Sequence, residues 1–186
     1  VEWMKFLVTG INGQLGHDVM NELMNRGYEG IGADMTTEYS GIADGSAVTT
    51  MPYVQLDITD KEAVKQVITE INPDAVIHCA AWTAVDMAED DDKLEMVYAV
   101  NAEGTRNIAK VCKKLNCKMT YLSTDYVFDG QGTEPWQPDC KDYRPLNVYG
   151  KTKLEGELAV SSILDKYFIV RIAWVFGLNG NNFIKT

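Results

Sequence analysis

Short apolar segments alternate with amphipathic ones from residue 5 to about residue 176, and this alternation restricts the fold more than any other feature of the sequence. Lys5–Thr9, Glu29–Asp34, Tyr53–Asp57, Ala75–Cys79, Met119–Ser123 and Phe168–Ile172 read as strands. Between them, Gln14–Arg26, a stretch capped by Thr59 or Asp60 and running to Ile71, residues 92–115 and Asn147–Leu164 carry apolar residues at helical spacing. Ala75-Val-Ile-His-Cys79 is almost continuously apolar, as a strand covered on both faces must be. Strand, helix, strand in repetition predicts parallel strands joined by right-handed crossovers. The expected fold is α/β: a Rossmann-like, doubly wound parallel sheet in three α/β/α layers. Residues 35–51, rich in Thr, Ser, Gly and Asp, read as a surface loop, and so do residues 129–146.

The glycines of Thr9-Gly10-Ile-Asn-Gly13-Gln-Leu-Gly16 fall where the first strand turns into the first helix. Glycine there permits a tight turn and lets a pyrophosphate reach the helix N-terminus. The spacing is Gly-x-x-Gly-x-x-Gly, which departs from the usual Gly-x-Gly-x-x-Gly fingerprint. Asp34 closes the second strand, where a carboxylate can bond an adenosine ribose and so favour NAD; a loop-start carboxylate is the competing reading. Asp57 stands at the same sheet edge, facing an adenine or turning the chain into its helix. Ala80 and Ala81 are small enough for a cofactor to lie close. Tyr149 and Lys153 share one helical face at i, i+4. A nearby ammonium favours phenolate, so the lysine is expected to lower the tyrosine's pKa. Such a tyrosine can pass a proton to a carbonyl oxygen as hydride reaches its carbon. Thr124 could orient that carbonyl, and Trp174 could stack on a flat ring or serve as a core or lid residue. The ordered set points to a redox enzyme.

Composition narrows the partners. With 186 residues and 46% hydrophobic content, one domain is expected. The formal net charge of -10 argues against nucleic acid. No apolar run approaches the ~20 residues of a membrane span. The four cysteines lack zinc or Cys-x-x-Cys spacing, so a reducing cytoplasm is expected, with Cys79 and Cys112 as core fillers. His78 reads as a satisfied core residue. Asp90-Asp91-Asp92 reads as a solvated helix start. Met4 reads as the native start, with Val1 to Trp3 added ahead of it.

Together, Thr9 to Gly16, Ala80 to Asp86, Ser123 to Gly130, Pro145 to Glu157 and Arg171 to Gly177 resemble the extended short-chain dehydrogenase/reductases. Ser-Thr-Asp-Tyr-Val-Phe-Asp-Gly, Pro-Leu-Asn-Val-Tyr-Gly-Lys-Thr-Lys-Leu-Glu-Gly-Glu and Ala-Ala-Trp-Thr-Ala-Val-Asp are most similar to the subgroup that reduces 4-keto nucleotide sugars to dTDP-rhamnose. The resemblance implies NADPH or NADH as cofactor, a nucleotide-sugar substrate and a catalytic set of Thr124, Tyr149 and Lys153. It implies that Gly10, Asn12, Gly13, Gln14, Leu15, Gly16, Asp34, Asp57, Ile58, Ala80, Ala81, Thr83, Tyr149 and Lys153 line the cofactor. Asp125 and Trp174 match positions near the sugar. Asp18 matches, weakly, an acidic position linked in some members to a Mg2+-bridged homodimer. Members continue into a smaller substrate-binding domain, so residues 4–186 are expected to be the NAD(P)-binding domain, with the substrate domain largely absent. Two competing functions share the fold: a nucleotide-sugar epimerase or dehydratase holding NAD tightly, and a non-catalytic regulatory partner of methionine adenosyltransferase. Dehydratases generally place an acidic pair after the hydroxyl residue, whereas Asp125 here is followed by Tyr126.

Overall fold

The computed structural model describes residues 4–39, 49–177 and 180–185. The expected added residues Val1 to Trp3 and most of the 35–51 loop (residues 40–48) lie outside them. Six strands form one parallel sheet: β1 (Lys5–Thr9), β2 (Glu29–Asp34), β3 (Tyr53–Gln55), β4 (Ala75–His78), β5 (Lys118–Thr124) and β6 (Tyr167–Ile172). Their order is β3-β2-β1-β4-β5-β6, so the chain reverses direction across the sheet between β1 and β4. That reversal opens a crevice at the carboxyl edge, where ligands of such sheets bind.

Side-chain alternation divides the core. Leu7 points into the larger cluster with Val64 and Ile68 of α2 (Lys61–Ile71), Ile108 and Cys112 of α4 (Thr105–Leu115) and Val160 of α5 (Val148–Ile163). Val8, one residue on, points the other way onto Met20 and Leu23 of α1 (Gln14–Asn25). Thus α2, α4 and α5 cover one face, and among the described residues α1 alone covers the other. On β6 the same alternation packs Ile169 inward but leaves Phe168 73% exposed. No helix among the described residues is long and apolar enough to cross a membrane.

Two expected elements differ in extent. The third strand stops at Gln55, because Asp57 Oδ1 accepts the Thr59 amide at 2.9 Å and its hydroxyl at 2.7 Å, turning the chain early. Asp60 then caps α2 by accepting from the amides of Glu62 and Ala63, a device worth about 1 kcal/mol. The single helix expected over 92–115 is three pieces: α3 (Leu94–Tyr98), a π-helical stretch Ala99–Gly104, and α4. The π-helical stretch contains Asn101 and Gly104, weak helix formers in an otherwise regular run. Asp90, Asp91 and Asp92 precede α3 and are solvent-exposed.

Candidate active site

A cleft of about 570 Å³ runs along the carboxyl edge of the sheet. That volume suits a small-molecule or cofactor site. At one end the β1–α1 turn forms its floor. Gly10 has φ +76°, and a Cβ there would lie 2.5 Å from the Ala80 amide nitrogen. Both the left-handed backbone and the approach of β4 therefore require glycine. Gly13 caps α1 with no side-chain hydrogen bond, leaving first-turn amides of that helix for an incoming anion.

Most of the expected site residues meet here. Gly10, Gly13, Gln14, Leu15, Gly16, Asp34, Asp57, Ile58, Ala80, Ala81, Thr83, Thr124, Asp125, Tyr149, Lys153 and Trp174 all line the cleft. Asn12 does not. Its side chain turns to the Thr36 hydroxyl at 2.8 Å, and its amide donates to Asp34 Oδ2 at 2.9 Å. Asp34 Oδ1 accepts from the Met35 amide at 2.7 Å. The two amides fix the carboxylate, and each oxygen keeps a lone pair for a ligand hydroxyl. Asp57 both lines the cleft and turns the chain, so its two sequence readings coexist. Trp174 lies beyond β6 at φ +54°, 76% exposed, with an edge contact to Phe183 at 5.2 Å.

At the other end, Asn147 caps α5 through the Gly150 amide at 2.7 Å, which starts the helix just before Tyr149. Gly150 lets this first turn press against the Tyr126 carbonyl, where a side chain would collide. The tyrosine is thereby held beside Thr124. Burial raises the Tyr149 pKa above its ordinary value; the Thr124 hydroxyl pulls it down, and Asp125 and Tyr126 push it up. The expected lowering by Lys153 is therefore not what the structure shows. The ammonium turns away, donating to the Leu122 carbonyl at 2.7 Å and lying 4.3 Å over the Tyr121 ring. Tyr149 is consequently a protonated phenol at neutral pH, the form that can give a proton.

Lys153 is 3% exposed. Burial brings its pKa from 10.5 down to about 7, against opposing pulls from Cys79 and Glu157. Because the folded value is the lower one, the unfolded chain holds more protons between about pH 7 and 10.5. Stability from this group therefore rises with pH across that window, by up to about 1.4 kcal/mol per unit. Unfolding in urea at pH 7 and pH 9 should show the unaltered chain gaining about 2 kcal/mol on Lys153→Met. A gap independent of pH would refute the depressed pKa.

Sequence reading missed a buried polar set that ties the cleft together. Asn101 grips Trp82 twice, accepting its amide at 2.8 Å and donating to its carbonyl at 3.2 Å. It also donates to the Thr152 hydroxyl at 3.1 Å, which donates to the Tyr149 carbonyl at 2.9 Å. An Asn and a Gly inside a helical run were the available signal. A bidentate ion pair, Arg171 to Glu157 at 2.7 and 2.8 Å, locks β6 to the buried face of α5. His78 is buried and bonded on both ring nitrogens. Among the described residues no group of three or more His, Cys, Asp or Glu could hold a metal ion, so the magnesium suggestion at Asp18 finds no support.

The chain resembles known proteins over nearly its whole length. Residues 4–186 match the family model described as RmlD substrate binding domain. The chain is 41% identical over 181 residues to the dTDP-4-dehydrorhamnose reductase of Streptomyces griseus, covering 97% of this chain and 53% of that protein. Among solved structures it is similar to the Bacillus anthracis dTDP-4-dehydrorhamnose reductase in complex with NADP, with TM-score 0.84 and 38% identity, covering 98% of this chain and 58% of that one. The Clostridium acetobutylicum dTDP-4-dehydrorhamnose reductase gives TM-score 0.83 and 40% identity, covering 98% and 57%. The chain thus spans about half the length of the curated relatives it matches.

Proposed function

This chain belongs to the RmlD family, and from that premise we propose that residues 4–186 are the NAD(P)-binding domain of a reductase that converts dTDP-4-dehydro-L-rhamnose to dTDP-L-rhamnose. The observation that carries the reading is the shared cleft: a glycine turn shaped for a pyrophosphate at one end, and a protonated tyrosine beside a threonine and a buried lysine at the other.

The residues fit a dinucleotide. The uncapped start of α1 at Gly13 offers its first-turn amides to a pyrophosphate, and Asp34, held by two amides, lines the same cleft. The reduced nicotinamide, when bound, supplies hydride to the carbonyl carbon of the sugar. Tyr149 gives its phenolic proton to the carbonyl oxygen, which completes the alcohol. Thr124 orients that oxygen from the end of β5. Lys153, lining the same cleft, would hold the nicotinamide ribose through its amine. Asp125 and Trp174 line the same cleft and would meet the sugar. Homologous relatives and the NADP-bound neighbour support the reductase over a regulatory subunit. An epimerase would recycle its cofactor without net oxidation.

The test is an assay of the full-length reductase that carries this domain, with dTDP-4-dehydrorhamnose and NADPH carrying deuterium on its transferable position. We expect one deuterium at C4 of the product per NADPH oxidised. Binding of cofactor with no label in the sugar would sink the reading. Asp34 meets the adenosine ribose in this account, and its charge repels a 2'-phosphate. Asp34→Ala should shift the NADPH/NADH affinity ratio toward NADPH by about tenfold. An unaltered ratio would remove Asp34 from the ribose.

A further inference from the structure

His78 lies inside β4, 1% exposed, and does not line the cleft. Its ring is nevertheless bonded at both ends: Nδ1 meets Thr9 Oγ1 at 2.7 Å and Nε2 meets Thr105 Oγ1 at 3.0 Å. The surroundings give these bonds a direction. Thr105 donates its hydroxyl to the Asn101 carbonyl at 2.8 Å, so it receives a proton from Nε2–H. Nδ1 then accepts from the Thr9 hydroxyl, and the Thr9 oxygen in turn accepts the Ala80 amide at 3.3 Å. The chain reads Ala80 N–H to Thr9 O–H to His78, then His78 N–H to Thr105 O–H to the π-helical Asn101. Burial, reinforced by Lys153, holds the imidazole neutral by lowering its pKa to about 3. The directions do not reverse near neutral pH.

Ala80 is the residue whose amide closes over Gly10. Asn101 holds the same loop at Trp82. The short segment that lines the cleft after β4 is thus pinned at its start through Thr9 and at its end through Asn101, and His78 joins the two supports.

We infer that His78 is a positioning residue for the dinucleotide: through the Thr9 hydroxyl it sets where the Ala80–Ala81 backbone stands in the cleft. This rests on the dinucleotide reading given above. A histidine that merely fills the core would be indifferent to which of its nitrogens is replaced. The proposal is not. In His78→Asn the amide oxygen takes the place of Nδ1 and keeps the Thr9 arm. In His78→Gln the amide nitrogen takes the place of Nε2 and keeps only the Thr105 arm. Each variant removes one threonine bond: in His78→Asn, Thr105 keeps its bond to the Asn101 carbonyl, and in His78→Gln, Thr9 keeps the Ala80 amide but loses the acceptor for its hydroxyl.

The experiment measures NADH and NADPH affinity for the unaltered chain and both variants, and hydrogen exchange at the Ala80 amide without dinucleotide. His78→Asn should bind within about twofold of the unaltered chain, and His78→Gln about tenfold more weakly. Exchange at Ala80 should be about tenfold faster in His78→Gln alone. Equal losses of affinity and equal exchange in the two variants would overturn the role of His78 alone. Failure of the unaltered chain to bind either dinucleotide would overturn both the reading of the cleft and this inference.

Discussion

Tyr149→Phe is expected to lower the rate of sugar reduction by about 10²- to 10⁴-fold while leaving NADPH affinity within about twofold. The substitution removes one oxygen and keeps the ring that meets Tyr126 edge-on at 5.6 Å. The phenol's hydrogen bond is to Thr124 at the end of β5. The cap runs from Asn147 to Gly150, and the Thr152 bond goes to the Tyr149 carbonyl. The loss should therefore fall on kcat, with folding and cofactor binding intact. Full turnover by the variant would remove Tyr149 as proton donor. Full turnover with Thr124→Val as well would place the chemistry elsewhere.

Gly10→Val should act at an earlier step, by abolishing the cleft itself. The valine would sit at φ +76°, a conformation costing about 1–2 kcal/mol for an L-residue. Its Cβ would also meet the backbone of Ala80 and Cys79 at 2.5 to 2.8 Å, and overpacking of that kind costs about 1–3 kcal/mol more. The clash is with backbone on both sides, so no rotamer change relieves it. The expected result is a loss of roughly 2–5 kcal/mol of folding stability in urea and at least a hundredfold loss of dinucleotide affinity. A variant that folds and binds like the unaltered chain would show that the β1–α1 turn does not approach β4 as described.

The strands, the doubly wound order and the cleft residues were legible because they rest on local pattern. Apolar runs mark buried parallel strands, and the Gly10 turn and the helical spacing from Asn147 mark the elements that line the crevice. What escaped depends on contacts between distant segments. The helix over 92–115 has apolar spacing throughout, and its π-helical interruption coincides with Asn101 reaching Trp82 and Thr152. The Tyr149 pKa was misjudged for a related reason. Spacing at i, i+4 places Lys153 nearby but cannot show that its amine turns to the Leu122 carbonyl, nor that burial dominates. Asn12 fell out of the cleft lining because Thr36, far along the chain, captures its side chain. His78 read as a core residue, which it is; that it bridges Thr9 and Thr105 required the packing of β1 and α4 on β4.

Calorimetric titration of this chain with NADPH and NADH tests the central claim most directly, since every assigned role depends on a dinucleotide lying between Gly10 and Lys153. The account predicts saturable one-site binding that is lost in Gly10→Val and retained in Tyr149→Phe. A folded chain that takes up neither dinucleotide, or binds them equally well with valine at position 10, would contradict it.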